Sequence, residues 1–348
     1  MLVYFCLFLF ILVNFANYDI FFIITWFIMA TIVVIAIHYV GVIGLETHGI
    51  LEKRVIQNLF YCQVSNFIKC LRPKQWSKNL LVLGALLFSI SNVTLTQVLE
   101  GLTAFILFCL GSGSIYILND FVDRELDRLH PQKCRRPMAS GELNPYAGLF
   151  LGIVLALGTC MYAFTLRESF GLVLVTYLVI NIAYSLKLKN VVLLDIMAIA
   201  FGFVLRAVGG GLAIGVQLTP WFLLCTLLLA LFLAIGKRRH ELHLLANSKG
   251  VHRPVLLHYS TELLDKLSGI VTTATIMSYA LYTFTSGKPV ELMLTIPLVI
   301  YGIFRYLYLI HVKGQGGAPE KILLEDKPIL FTVLLYGATV LVILNTFS

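Results

Sequence analysis

Apolar and polar positions alternate along this chain on the scale of whole helices. Apolar runs of roughly 20 residues, the length a helix needs to cross a bilayer, recur at 79–95, 98–118, 146–165, 169–186, 191–214, 219–236, 267–285, 290–310 and 328–347. Each predicts a membrane-spanning helix, and together they predict a nine-helix core. Two more apolar runs, at about 2–17 and 20–44, precede them, separated by "NFANYD". The first lacks the basic start and small-residue cleavage site of a signal peptide, so it reads as a retained helix or an interfacial hairpin. The segment 52–70 is polar and apolar by turns, as in an amphipathic helix on a membrane surface.

Composition agrees. The 348 residues are 59% hydrophobic and only 13% charged, more apolar surface than a soluble domain of this size can hide. The expectation is an all-α polytopic membrane protein. No composition shift marks a second soluble domain. The seven cysteines form no CxxC pair and no Cys/His metal spacing, so they read as small buried apolar side chains. The eight histidines include no HExxH, and there is no P-loop or strand-borne GxGxxG. Gly209 to Gly211 lie inside a predicted helix, where close helix packing accounts for them.

The net charge of +8 would suit nucleic acid, but its distribution argues against that partner. Loop 45–78 carries six Lys/Arg, loop 119–144 five, the link 187–190 two, loop 237–266 six and loop 311–327 three. These alternate loops hold 22 of the 26 basic residues, while the opposite loops hold only Arg167 and Lys288. By the positive-inside rule the charged loops face the cytoplasm.

The acidic residues carry more chemistry. In "NDFVDRELD", Asn119 to Asp127, the three aspartates are spaced three and four apart, so a continuing helix would put them on one face. Like charges so spaced repel and need compensation. Either Arg124 and Arg128 neutralise a solvated helix end, or a divalent cation bridges the carboxylates to a phosphorylated ligand. Mg²⁺ is typically held by one or two carboxylates plus substrate phosphates. In the same loop Arg135 and Arg136 of "CRRP" are either topogenic or phosphate ligands.

Three other stretches stand near that mouth. In "YSLKLKNVVLLD", Tyr184 to Asp195, two lysines link two helices, and Asp195 lies where lipid exposure would be costly. It could serve a second metal, reach a metal through water, or pair with Lys187 or Lys189. Arg206 lies on the same face about 16 Å further along the helix. At that depth it is a candidate for the acceptor lipid or for a helix carbonyl. In "LRPKQWSKN", Lys74 and Lys78 share a helical face and Trp76 suits the headgroup level. In "GKRRHEL", Lys237, Arg238 and Arg239 suit a helix C-terminus.

"NDFVDRELD" resembles the NDxxDxxxD motif of the UbiA superfamily of intramembrane prenyltransferases. The resemblance covers roughly 66–348 and implies a UbiA-like nine-helix bundle, here with one or two extra N-terminal hydrophobic helices. The expected division is 1–65 for those helices and an amphipathic linker, and 66–348 for the transferase domain. Many members carry a second DxxxD-type motif; here only Asp195 stands in that region. That departure, with "LRPKQWSKN", "GKRRHEL" and "FRYLYLIHVKGQGGAPEKILLEDKPI", resembles the decaprenyl-phosphate phosphoribosyltransferase subgroup. The resemblance implies Mg²⁺-dependent transfer of 5-phosphoribosyl from phosphoribosyl diphosphate (PRPP) to a polyprenyl phosphate, with release of diphosphate, for cell-envelope precursor synthesis.

On this reading Asp120, Asp123, Asp127 and Asp195 are catalytic. Asn119, Asp120, Asp123 and Asp127 hold Mg²⁺. Lys74, Lys78, Tyr116, Asn119, Arg135, Arg136, Tyr184, Lys187, Lys189 and Arg206 bind substrate. The site faces the cytoplasm across the inner (plasma) membrane, and the partners are PRPP, the lipid phosphate and the bilayer. The oligomeric state stays open, a homo-oligomer included. A prenyl diphosphate donor with an aromatic acceptor is the nearest alternative. A transporter is a more remote one, disfavoured because the acids cluster at one mouth rather than at the bilayer midplane.

Overall fold

The computed structural model describes residues 61–87, 94–130, 133–246, 254–314, 316, 317, 322 and 325–347. The apolar runs 2–17 and 20–44, most of the expected 1–65 unit and the first part of the amphipathic 52–70 segment lie outside the described residues. The rest of that segment, 61–70, is helix α1. It buries Asn66, Phe67 and Cys70 and exposes Tyr61, Ile68 and Lys69, the one-sided burial its pattern predicts.

The long helices are α2 (Leu95–Val122), α3 (Pro145–Leu166), α4 (Glu168–Leu186), α5 (Leu194–Ile214), α6 (Pro220–Ala246), α7 (Thr261–Thr285), α8 (Ile296–His311) and α9 (Lys327–Phe347). With the 3-10 turn Val290–Thr295 continuing into α8, eight described segments are long and apolar enough to cross a membrane. Large apolar side chains such as Leu157, Met161, Ile270, Phe331 and Leu334 stay exposed on them, as a surface bathed in lipid requires.

Two expectations need correction. The first predicted span, 79–95, is not one α-helix where it is described. A 3-10 helix runs over Pro73–Leu83 and a single α turn over Gly84–Leu87. The 3-10 path lets this segment lie between α2 and α5, both of which it packs against. The other is α6, which runs ten residues past the predicted end at 236, so "GKRRHEL" is helix interior rather than helix end.

Local chemistry sets the helix starts. Thr94 and Gln97 form a capping box at α2, Asn144 accepts from the N–H groups of Tyr146 and Ala147 ahead of Pro145 in α3, and Ser260 caps α7. Each satisfies N–H groups that a helix start leaves unpaired. Helices α2 to α5 and the 3-10 segment pack together around Phe108, Phe170, Leu174 and Tyr177. Phe108 meets Phe170 and Tyr177 edge-on, with centroids 6.0 and 5.3 Å apart. Helices α6 to α9 pack around a second set that includes Phe232, Tyr306 and Ile310. The halves join where α5 packs on α6.

The glycine run in α5 is used for close approach, as its sequence suggests. A Cβ on Gly209 would enter the Phe108 ring, and one on Gly210 would sit 1.9 Å from the Val82 carbonyl oxygen of the 3-10 segment. A backbone oxygen cannot rotate aside as a side chain can. Gly210→Ala should therefore destabilise by about 1–3 kcal/mol through overpacking, read as a lower thermal midpoint of the detergent-solubilised chain. Gly269→Ala, whose Cβ would meet nothing within 4 Å, should leave that midpoint unchanged.

Candidate active site

The acidic motif lies where α2 ends. The helix does not continue smoothly through it. Asp123 leaves helical geometry at φ −91°, ψ 5°, and a separate short helix, Arg124–Arg128, follows. Its N–H still bonds the Asn119 carbonyl at 2.9 Å, and its carbonyl accepts from Asp127 N–H at 2.8 Å. This break corrects the expectation of three aspartates in a row on one continuous face.

The carboxylates divide instead. Asp120 and Asp127 are both buried, at 2% and 3% exposure, and they share one guanidinium. Arg136 Nη1 lies 3.1 Å from Asp120 Oδ1 and 2.6 Å from Asp127 Oδ2. Arg72 also donates to Asp120 Oδ1, and Lys133 Nζ stands 3.9 Å from Asp127. Asp123 turns the other way, to Lys189 Nζ at 2.9 Å. Buried carboxylates are tolerated only when paired in this way. The compensating cations come from elsewhere in the chain, not from Arg124 and Arg128, which engage Glu125.

Arg72 merits separate mention. It adopts φ 52°, ψ 63°, a left-handed conformation rare outside glycine, directly before Pro73. Its guanidinium lies 4.8 Å over the Tyr116 ring as it reaches Asp120. Such a conformation costs about 1–3 kcal/mol and persists where surrounding contacts over-determine it. The hydrophobic pattern singled out Lys74 and Lys78 in this stretch and missed Arg72. An Arg–Pro pair at the mouth of a membrane bundle was the available signal.

Asp195 is fully buried and pairs with neither Lys187 nor Lys189. Arg238 Nε meets its Oδ2 at 2.6 Å, and the Tyr259 hydroxyl donates to its Oδ1 at 2.7 Å. Arg238, 1% exposed, also reaches Glu241 at 2.5 Å and the Tyr184 hydroxyl at 3.3 Å. Burial, and next the bond to Asp195, push the Tyr259 hydroxyl up, so it stays a proton donor. Arg238 and Tyr259 were not singled out as site residues. Reading α6 as ending at 236 put Arg238 outside the bundle. Burial likewise pushes the Cys70 thiol up to about 12, the charge of nearby Asp120 adding to it, as a packed, unreactive cysteine requires.

Arg206 belongs to a separate network deeper in the bundle. Its Nε donates to Asn79 Oδ1 at 2.7 Å, Nη1 to the Gly202 carbonyl at 2.9 Å and Nη2 to the Tyr177 hydroxyl at 2.7 Å. Lys74, Arg135 and Lys187 are exposed at the rim, and Lys78 and Asn119 are half-buried.

The donor atoms of Asn119, Asp120, Asp123 and Asp127 are all oxygen, the chemistry Mg²⁺ prefers. Among the described residues no three His, Cys, Asp or Glu side chains form a ready cage. Mg²⁺ does not need one when phosphate oxygens complete its shell. Asp123, a third exposed and paired through one oxygen, is the carboxylate most open to such a ligand.

Removing the shared cation should be costly. Arg136→Gln leaves Asp120 and Asp127 without their common partner, and should destabilise by about 2–3 kcal/mol. That is below the figure for a fully buried pair, because Arg136 remains a quarter exposed. Arg136→Gln/Asp127→Asn should recover part of that loss in the same thermal-unfolding measurement.

The model of the UbiA prenyltransferase family matches residues 80–323. A decaprenyl-phosphate phosphoribosyltransferase of Mycolicibacterium smegmatis is 32% identical over 291 residues, covering 80% of this chain and 92% of that protein. One from Corynebacterium glutamicum is 36% identical over 272 residues, covering 75% and 81%. The structure of a UbiA homolog from Archaeoglobus fulgidus bound to GPP and Mg²⁺ superimposes with a TM-score of 0.63 at 20% identity, covering 81% of this chain and all of that one. The fold, the acidic helix end and these likenesses agree: the chain is a multi-pass membrane enzyme that belongs to the UbiA prenyltransferase family.

Proposed function

We propose that the enzyme transfers 5-phosphoribosyl from PRPP to a polyprenyl phosphate of the decaprenyl type at the cytoplasmic face of the plasma membrane. The observation that carries this reading is the mixed-charge mouth at the end of α2. Four cations, Arg72, Lys133, Arg136 and Lys189, surround three carboxylates there. Such a mouth suits an anionic sugar phosphate that brings a divalent ion with it. The relatives, matched over most of their length, are named for moving a phosphoribosyl group to decaprenyl phosphate, which supports the transferred group and the acceptor.

In the reaction the bond between ribose C1 and the diphosphate oxygen breaks. A phosphate oxygen of the lipid bonds to C1, and diphosphate leaves. The acceptor is already an anion, so no general base is needed. Positive charge develops on the ribosyl ring and negative charge on the leaving group. Arg72, Arg136 and Lys189 stabilise the departing diphosphate, and their fixed placement avoids reorganisation during the reaction. Lys74, Lys78, Arg135 and Lys187 extend the phosphate contacts along the rim. Tyr116 backs Arg72, and the Tyr184 hydroxyl accepts from Arg238. Asp123, with Asn119 beside it, would hold Mg²⁺, which neutralises diphosphate charge when bound, while the buried and paired Asp120 and Asp127 would fix Arg72 and Arg136 next to the ion. The lipid enters sideways between helices, while the sugar phosphate comes from the cytosol.

The deciding assay incubates purified full-length protein with Mg²⁺, PRPP labelled in the ribose and polyprenyl phosphate, and follows label into the lipid phase. Wild type should transfer label, and chelation of Mg²⁺ should stop it reversibly. Asp123→Ala should fall to background while remaining folded in detergent. Normal turnover by Asp123→Ala would remove the central assignment. No transfer, together with turnover of a prenyl diphosphate and an aromatic acid, would replace the whole reading.

A further inference from the structure

We infer that Asp195 is a positioning residue for Lys189 and not a ligand for a second metal ion. This rests on the function proposed above and refines one part of it. Both oxygens of Asp195 are already engaged, one by Arg238 at 2.6 Å and one by Tyr259 at 2.7 Å, and the side chain has no exposed surface. A metal ion there would have to displace an arginine that is itself 1% exposed and also tied to Glu241 and Tyr184. Position 199, one helical turn on, is an isoleucine, so the helix offers no second carboxylate to share an ion.

What the carboxylate does hold is the link between α4 and α5. Tyr259 donates to Asp195 and accepts from the Leu193 N–H at 2.8 Å. Leu193 sits at φ 66°, ψ −40°, a conformation that a side chain disfavours. The Asp195–Tyr259 pair therefore secures a strained residue at the start of α5. Asp195 N–H also bonds the Val191 carbonyl at 3.1 Å, closing the link back on itself. The turn Leu188–Asn190 lies within this clamped link and carries Lys189 to Asp123 at 2.9 Å. The chain of contacts runs from Arg238 through Asp195, Tyr259 and Leu193 to the turn that aims Lys189. Asp195 thus acts on the donor site through a lysine of another segment.

Three measurements test this on the full-length enzyme, each starting from a wild type that transfers label. Asp195→Asn keeps the shape of the side chain. Tyr259→Phe loosens the clamp and leaves the Asp195–Arg238 pair intact, which guards against Asp195→Asn failing to fold. Both should raise the KM for PRPP at least five-fold while the Mg²⁺ concentration for half-maximal rate stays within two-fold of wild type. Lys189→Met should raise the same KM, and Lys189→Met/Tyr259→Phe should be no worse than Lys189→Met alone. Mn²⁺ binding in the presence of inorganic diphosphate, followed by EPR, should be retained in Asp195→Asn and weakened in Asp123→Ala. A ten-fold rise in the Mg²⁺ requirement or loss of bound Mn²⁺ in Asp195→Asn would overturn the inference. So would wild-type KM in Tyr259→Phe, or multiplicative effects in the double variant. Absence of label transfer by wild type would instead count against the proposed reaction.

Discussion

Everything at the mouth of this bundle follows from the need to hold buried carboxylates at the end of a membrane helix. Asp120 of α2 and Asp127 of the short helix that follows it have almost no exposed surface. A carboxylate so buried is costly without a partner. Arg136 bridges both, and Arg72 donates to the same oxygen of Asp120. The loop after α2 must therefore fold back so that Arg136 returns to the helix it left. The segment before the 3-10 helix must bend through an unfavourable backbone conformation to bring Arg72 in. The break at Asp123 belongs to the same solution, since it turns the middle carboxylate away from its two neighbours and toward Lys189.

That arrangement explains why much of the architecture was legible in the sequence and much of the site was not. Helix spans are set by the thickness of the hydrocarbon layer, which a run of apolar residues reports directly. The aspartate spacing likewise marked the end of α2, where Asp120, Asp123 and Asp127 gather their cations. Partners were harder to read, because they are chosen by tertiary fold. A pair with Lys187 or Lys189 was one of three roles open to Asp195, yet its partner is Arg238, 43 residues away. The end of α6 was misplaced because a hydrophobic count stops at "GKRRHEL", whereas the helix continues once its arginine is neutralised inside. The 3-10 path of Pro73–Leu83 left no trace in the apolar pattern, which is blind to helix type. The glycine run was readable as close packing, but not which backbone it meets.

The two halves of the bundle touch the site differently. The residues that surround the acidic motif come from the connections of the first half: Arg72 ahead of the 3-10 helix, Lys133 and Arg136 after α2, and Lys189 between α4 and α5. The second half supplies Arg238 and Glu241 from α6 and Tyr259 just ahead of α7. None of these reaches the α2 carboxylates; they brace the link that carries Lys189. The second half thus serves as a support against which a short loop is fixed. Fixed loops are what charge stabilisation at a leaving group requires, since a cation that must reorient during the reaction contributes less.

Arg206 has a consequence of a different kind. It is a guanidinium 7% exposed within a membrane-spanning helix, and among the described residues its partners are an amide, a carbonyl and a phenol rather than a carboxylate. Its charge is solvated by dipoles but not cancelled. A membrane bundle with a polar mouth at one end and further polar groups at depth risks becoming a leak for protons and metal ions. A fixed positive charge below that mouth repels any second cation that descends from it, as an arginine does in pores that exclude protons. A polar mouth at one end of the bundle is therefore compatible with a barrier to cations through its interior.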